Sequence, residues 1–137
     1  MRKLLSFGRD ERGTAVIEIA IALPVLIVFI YGIFQVGVAF QANAGMQHAL
    51  GEGARLATIC KNPTAAGVCS VATNTEIEAK MNQRMFGTGI GTFTVNPIVT
   101  SGDHKDLSVS FTMPMNFLLF PGPSINLTRT KRVYVAN

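Results

Sequence analysis

One long apolar stretch near the N-terminus constrains the fold of this chain more than any other feature. No charged residue occurs from Ile19 to Phe34, and only Glu18 and Gln35 interrupt the apolar character of Ala15 to Phe40. A helix rises about 1.5 Å per residue, so about 20 residues cross a hydrocarbon core of roughly 30 Å. A soluble core helix of this length would show a polar face, and this stretch shows none. The sequence therefore predicts one membrane-spanning helix, with Glu18 as an isolated carboxylate at its edge.

A secretory signal peptide is the competing interpretation of this end of the chain. Such a peptide has a basic start, an apolar run of about 7 to 15 residues and a small-residue cleavage site. Ala42-Asn43-Ala44 resembles such a site, but the apolar stretch before it is longer, and the basic segment contains Asp10 and Glu11. We therefore favour a retained membrane helix.

The basic residues on either side of the span predict its orientation. Four of them precede it: Arg2, Lys3, Arg9 and Arg12. Only Arg55 and Lys61 occur in the first thirty or so residues after it. Because basic flanks stay on the cytoplasmic side, we expect a single pass with the N-terminus in the cytoplasm and the remainder outside.

Length and charge allow one small domain after the span and exclude a nucleic-acid binder. The chain has 137 residues and a net charge of +4, which leaves room for one modest core. A nucleic-acid footprint needs a basic cluster, and the nearest approach to one is Arg129, Lys131 and Arg132. This trio alternates with apolar residues, so we interpret it as the solvated face of a last strand. No nucleic-acid partner is expected.

The sequence predicts two helices before the sheet. The membrane helix is expected to continue to Arg55 or Ala57, because no proline intervenes before Pro63. A second helix is expected to be capped by Asn74 or Thr75, with Glu76 and Glu78 in its first turn. Its apolar stripe is predicted to comprise Ile77, Met81, Met85 and Phe86.

Alternating residues predict three strands at Thr92–Val99, Leu107–Thr112 and Ile125–Val135, with a turn at Ser101–His104 and a change of face near Arg129. The fold class is therefore α+β, with a small three-stranded antiparallel sheet. The apolar segment 113–122 is too irregular for a strand by this criterion. We expect it either to pack under the second helix or to form an exposed patch that contacts another subunit or the membrane.

Cys60 and Cys69 are the only cysteines and flank a turn-rich loop. In an oxidising compartment such a pair predicts a disulfide, worth about 2 to 3 kcal/mol for a short ring; free thiols are the alternative. Two thiols alone make a poor metal site, because structural zinc needs four ligands. Neither His48 nor His104 lies at ligand spacing to them.

No pattern in the sequence indicates an enzyme. His48 and His104 have no Cys or Ser at catalytic spacing, and Gly87–Gly91 lacks the Lys and the helix of a phosphate-binding loop. We expect no catalytic residue, no cofactor and no metal.

The stretch Glu11–Leu26, ERGTAVIEIAIALPVL, resembles the N-terminal signature of TadE-like proteins, minor pilins or pseudopilins of tight adherence (Tad, Flp) pili. The resemblance continues through Gly37–Phe40 and Glu52–Arg55. The tail is similar in layout, since Leu107–Phe111 and a proline-containing loop precede a final strand. Major Flp pilins would have Tyr after the Glu, where Ile19 stands here, and are much shorter. The resemblance therefore implies a minor or initiating subunit.

The resemblance also implies roles for three residues. A prepilin peptidase would cut after Gly13 and leave Thr14 as the new N-terminus, and Glu18 would pair with the terminal amine of a neighbouring subunit and set the register of the helices. The plainer interpretation of Glu18 is a position at the headgroup boundary with Arg12. The partners implied are other pilin subunits, the Tad assembly machinery, the peptidase and the inner membrane.

These expectations define three parts of the chain: a cytoplasmic basic leader (1–13), a transmembrane helix with its extension (14–57) and a small extracytoplasmic α+β domain (58–137). The resemblance implies the bacterial inner membrane with a periplasmic C-terminal domain, and a place in the filament or its tip. The alternative function is a permanently anchored, uncleaved assembly factor of the Tad machinery.

Overall fold

The computed structural model describes residues 11–61, 70–87, 89–117 and 120–135. Its elements, in chain order, are α1 (Glu11–Thr58), α2 (Asn74–Arg84), β1 (Thr92–Ser101), β2 (His104–Phe117) and β3 (Phe120–Tyr134). One long helix, a second helix and a three-stranded antiparallel sheet make an α+β fold. The predicted fold class is confirmed.

Helix α1 combines the predicted span with its extension in one 48-residue helix, about 72 Å long at 1.5 Å per residue. It begins at Glu11, so the helix runs unbroken through Gly13 and Thr14, where the predicted leader would end. Residues 1–10 of that leader lie outside the described residues, and with them Arg2, Lys3 and Arg9.

Helix α2 is capped one residue earlier than predicted. Thr73 has an extended backbone, and its hydroxyl accepts a hydrogen bond from the Glu76 amide at 3.4 Å. The Glu76 carboxylate accepts one in return from the Thr73 amide at 3.0 Å, which completes a capping box. The prediction that Asn74 or Thr75 caps the helix is therefore wrong, because both residues already lie inside the helix and Glu78, three positions after Thr75, bonds the Ile98 amide instead.

The two predicted acids of α2 have different roles. Glu76 lies in the first turn as expected, but Glu78 lies beyond it, and its carboxylate accepts a hydrogen bond from the Ile98 amide at 3.0 Å. Of the predicted stripe, Ile77 and Met81 are fully buried and Met85 is half-buried. Phe86 lies after the helix and is largely exposed.

Strand β2 lies at the centre of the sheet, between β1 and β3. One face of it is buried along five alternating positions, Lys105, Leu107, Val109, Phe111 and Met113. Lys105 is the polar member of this face, and its ammonium group donates to the Ala72 carbonyl oxygen at 3.3 Å. β1 follows the register of β2 except at a bulge between Asn96 and Val99.

The core forms where the second half of α1 packs against α2 and the buried face of β2. From α1 it takes small and flexible side chains: Val38, Ala42, Met46, Ala49, Leu50, Ala54 and Ala57. Gly53 allows the close approach, because a Cβ there would lie 2.6 Å from Met81 and 2.9 Å from Leu107. Gly45 has the same role against the Phe86 backbone.

The β2–β3 hairpin is longer than the sequence predicts. Segment 113–122, interpreted as an irregular loop, contributes residues 113–117 to β2 and 120–122 to β3; residues 118 and 119 lie outside the described part. Pairing of β1 with β2 ends at Thr92 and Thr112. Beyond that point β2 is an edge strand, which tolerates Pro114 because no partner needs its amide.

The predicted change of face in β3 is wrong. The pairing of β2 with β3 continues without a shift from His104–Tyr134 to Pro114–Ser124, so odd-numbered residues of β3 share one face. The three basic residues are all exposed, but they divide between the faces. Arg129 reaches Asn43 of α1, whereas Arg132 pairs with Asp106 on the other face.

Candidate functional site

The first half of α1 is apolar around its whole circumference, and only its last turns, from Val28 onward, lie against the folded domain. Most large side chains from Val16 to Phe34 are more than half exposed. Its most apolar 18-residue window has a mean hydropathy of 2.6, and α1 is long and apolar enough to cross a membrane. An apolar surface of this size is stable in lipid or against other apolar helices, but not in water.

Gly13 and Thr14 lie on the exposed surface of α1. A Cβ added to Gly13 would meet no atom within 4 Å, and its backbone is not in the left-handed region. Neither packing nor backbone conformation therefore requires glycine at this position of the described structure.

Glu18 follows Thr14 by one helical turn, about 6 Å along the axis. Its side chain is exposed and borders a surface groove of about 820 Å³ that is otherwise apolar, lined by Ile19, Ile21, Ala22, Leu23, Val25, Leu26 and Phe29. Within the described residues, no hydrogen bond or ion pair engages the Glu18 carboxylate.

Gln35 makes a contact with the sheet that its sequence context does not predict. Its side chain is 6 % exposed, and Nε2 donates a hydrogen bond to the main-chain oxygen of Asn116 at 2.6 Å. Its Oε1 is buried with no hydrogen-bond partner among the described atoms. The one available signal was that Gln35 is the sole polar interruption of the apolar stretch besides Glu18.

Cys60 follows the C-terminal end of α1, and Cys69 lies outside the described residues. The described part of the chain contains no free cysteine. The Lys61 amide donates to the Ser70 carbonyl oxygen at 2.9 Å, so the residues that follow the two cysteines are neighbours. This geometry suits the predicted disulfide, which stays a prediction.

Lys61 also ties this loop to α2 through an ion pair with Glu76. The hydrogen bond from Lys61, and then that with the Thr73 amide, hold the pKa of the Glu76 carboxyl below its usual range. The loop between the helices is thus held at its base by Lys61 from one side and Ser70 from the other.

The charged groups of the sheet lie at the end remote from α1's free half. Arg132 donates to both carboxylate oxygens of Asp106, at 2.8 and 2.9 Å, and this hydrogen bonding lowers the pKa of Asp106. A hydrogen bond with His104 lowers the pKa of Asp103.

His48 contacts the Arg84 carbonyl oxygen and the Phe86 ring. Within the described ranges, no group of three or more His, Cys, Asp or Glu side chains could hold a metal ion.

Comparison with known proteins supports the resemblance in the N-terminal segment. A family model described as "TadE-like protein" matches residues 13–55, which contain Gly13, Thr14, Glu18 and the helix surface that supports the sheet. No curated protein and no solved structure matches the chain. Residues 13–55, the greater part of α1, are therefore similar to TadE-like proteins, as the sequence pattern predicted.

Proposed function

We propose that this protein is a minor pilin or pseudopilin that takes part in assembly of a Tad-type pilus for surface adhesion. The observation that carries the proposal is the Glu18 carboxylate, which no described side chain engages, on apolar helix turns that lie beyond the folded domain. Such a helix suits both a bilayer and a bundle of like helices, so it can leave one for the other. The TadE-like segment supports association with Tad pili.

The surroundings of Gly13 support processing at this residue. Glycine within a helix is less stable than alanine by about 0.5 to 1 kcal/mol, and here no neighbouring atom would exclude a methyl group. The fold therefore gains nothing from glycine at position 13. Recognition by a prepilin peptidase supplies a reason for it, and cleavage after Gly13 leaves Thr14 with a free amine.

The position of Glu18 supports a role in subunit register. An isolated carboxylate in apolar surroundings is unfavourable by several kcal/mol unless it is paired. The amine of Thr14 on a neighbouring subunit is the proposed partner. A misplaced neighbour would leave both charges unpaired, so the pair selects one stagger between helices even though it adds little to their net affinity.

The alternative is a permanently anchored assembly factor that keeps its leader and positions the Tad machinery. In that case Glu18 lies at the headgroup boundary and Arg12 is its natural neighbour. In both cases we place the protein in the bacterial inner membrane, with its N-terminus cytoplasmic and its folded domain periplasmic. The subunit would then enter the filament or its tip only in the first case.

N-terminal sequencing of the protein from cells with and without the prepilin peptidase tests the proposal. The pilin role predicts a start at Thr14 that depends on the peptidase. A start at Met1 in both strains would refute processing and favour the anchored assembly factor.

A further inference from the structure

The β2–β3 hairpin has an uneven distribution of charge along its length. No charged residue occurs between Asp106 and Arg129, the part of the hairpin that contains its turn. Asp103, Lys105 and Arg132 cluster at the open end, where β2 begins and β3 ends. The described ends of the two strands, residues 114–117 and 120–123, are called the hairpin tip here. At about 3.4 Å per residue, the tip lies some 40 Å from the charged end of the hairpin.

The hairpin tip packs on the part of α1 that is predicted to span the membrane. The Phe117 ring lies 3.9 Å from the position that a Cβ on Gly32 would occupy, and Asn116 accepts the hydrogen bond from Gln35. Between tip and helix runs an open groove of about 490 Å³, lined by Val28, Phe29, Gly32, Ile33, Val36, Met115 and Phe117.

Helix geometry gives the depth of this contact. Counted from Glu18 at about 1.5 Å per residue, Gly32 lies about 21 Å along α1, Gln35 about 26 Å and Asn43 about 38 Å. With Glu18 at one edge of a core of roughly 30 Å, Gly32 and Gln35 lie inside the core and Asn43 lies beyond it. Arg129 hydrogen-bonds Asn43 at 2.8 Å, so the first charge of the hairpin falls at headgroup depth.

We propose that the hairpin tip is immersed in lipid acyl chains, in the leaflet on the side of the folded domain. The groove beside Phe117 is then filled by acyl chains. The proposal rests on α1 spanning a bilayer and does not require that the protein enter a filament. It also gives a reason for the burial of Gln35, because the hairpin covers the one amide side chain within the span.

The backbone of the hairpin tip suits an apolar medium. Every unpaired amide in lipid is unfavourable, so a lipid-exposed edge needs few free N–H groups. Pro114, Pro121 and Pro123 have no N–H at all, and they lie where β2 has lost its β1 partner and where β3 forms the sheet edge. The Asn116 oxygen is satisfied by Gln35.

Lipid is favoured over a second copy of this chain as the occupant of the groove. Both walls of the groove come from one chain, and the groove is continuous with the apolar surface of the span itself. A protomer alone in the bilayer meets acyl chains along that entire surface.

Depth-dependent fluorescence quenching tests the proposal on the full-length protein. The chain contains no Trp, so Phe117→Trp introduces a single tryptophan at the tip, which is excited at wavelengths where the two tyrosines do not absorb. The protein is reconstituted in phosphatidylcholine vesicles whose acyl chains are brominated, since bromine quenches a tryptophan that it contacts. Phe29→Trp, about 17 Å from Glu18, reports the middle of the span, and Tyr134→Trp reports the opposite end of the hairpin. Circular dichroism checks the fold of each variant.

The expected result is loss of emission for Phe117→Trp and Phe29→Trp, and unchanged emission for Tyr134→Trp. If Phe29→Trp is quenched and Phe117→Trp is not, the tip lies in water and the proposal fails while the span stands. If quenching of Phe117→Trp by bromine weakens as the protein-to-lipid ratio is raised, a second copy of the chain covers the tip. That result would also overturn the proposal. Absence of quenching at Phe29→Trp would contradict the prediction that α1 spans a membrane, and with it the proposed pilin role.

Discussion

The Nε2 atom of Gln35 donates a hydrogen bond to the main-chain oxygen of Asn116 at 2.6 Å, across 81 positions of sequence. It joins the apolar half of α1 to the far end of the β2–β3 hairpin. A second side-chain hydrogen bond between α1 and the sheet, from Arg129 to Asn43, lies further along the helix. The Gln35–Asn116 contact and the apolar packing of Phe117 therefore hold the tip of the hairpin against the apolar half of α1.

Gln35→Met should lower the free energy of unfolding by about 1 kcal/mol, the net value of a typical hydrogen bond. The methionine has a similar length and leaves the Asn116 oxygen without its donor. Denaturant unfolding in detergent measures the change. Gln47→Met is the matched control, because Gln47 is exposed on the same helix. A more stable Gln35→Met variant would mean that the unpartnered Oε1 outweighs the bond.

Gly13→Ala should leave the fold intact and block maturation, because the methyl group meets no neighbour in the structure and only the peptidase would detect it. A bulkier residue should block it more completely. Gel mobility and N-terminal sequencing are the readout. Gly37→Ala makes the same change at another open position of α1 and should mature normally. An unchanged mature form of Gly13→Ala would remove the prepilin interpretation.

Glu18→Ala should insert in the membrane but fail to enter pili, because the proposed defect is in subunit register and not in folding. The amount of the variant in sheared pili, relative to its amount in membranes, is the measurement. Glu52→Ala removes a carboxylate from the same helix beside α2 and should still be incorporated. Normal pili containing Glu18→Ala would show that the proposed pairing has no role.

Cys60→Ser with Cys69→Ser should lower the free energy of unfolding by about 2 to 3 kcal/mol, since a short ring restricts the unfolded chain only modestly. The domain should fold but resist proteolysis less well. In the unmodified protein, a thiol reagent without reductant should label nothing in intact cells. Labelling of both cysteines there would contradict the disulfide, and labelling only after the membrane is opened would contradict the orientation.

Stability should fall at acid pH through the Asp106–Arg132 pair. Hydrogen bonding to Arg132 holds the pKa of Asp106 below its usual value in the folded protein. The stabilisation is therefore present above the usual Asp pKa of about 3.9 and is lost as pH falls through the lowered value. Asp106→Asn should show a smaller drop in Tm between neutral and acid pH than the unmodified protein does. Equal drops would show that the exposed pair contributes nothing measurable.

Local patterns predicted those parts of the structure that short stretches of chain decide. The apolar run specified α1, the alternation of Leu107, Val109 and Phe111 specified the core of β2, and Ile77 and Met81 specified the buried face of α2. Each depends on a periodicity that neighbouring residues carry themselves. Gly13, Thr14 and Glu18 lie within two turns of the same helix, and their proposed roles stay predictions.

The errors arose where a distant partner decides the conformation. The extension of β2 through Pro114 depends on where β1 ends, and the role of Glu78 depends on the Ile98 amide that the fold brings to it. The cap of α2 is a further case: the sequence contains two capping-box patterns, Thr73 with Glu76 and Thr75 with Glu78, and the structure uses the first.

The sequence by itself determined that a long apolar helix precedes a small α+β domain and that one carboxylate stands at the edge of the helix, because composition and period are local properties. Only the tertiary structure decided that the hairpin lies along this helix and covers Gln35. It also decided that Arg129 and Arg132 lie on opposite faces of the sheet. Packing requires glycine at position 53 and not at position 13, which the sequence did not show. These features depend on contacts between residues far apart in the chain, which form only when the sheet packs against α1.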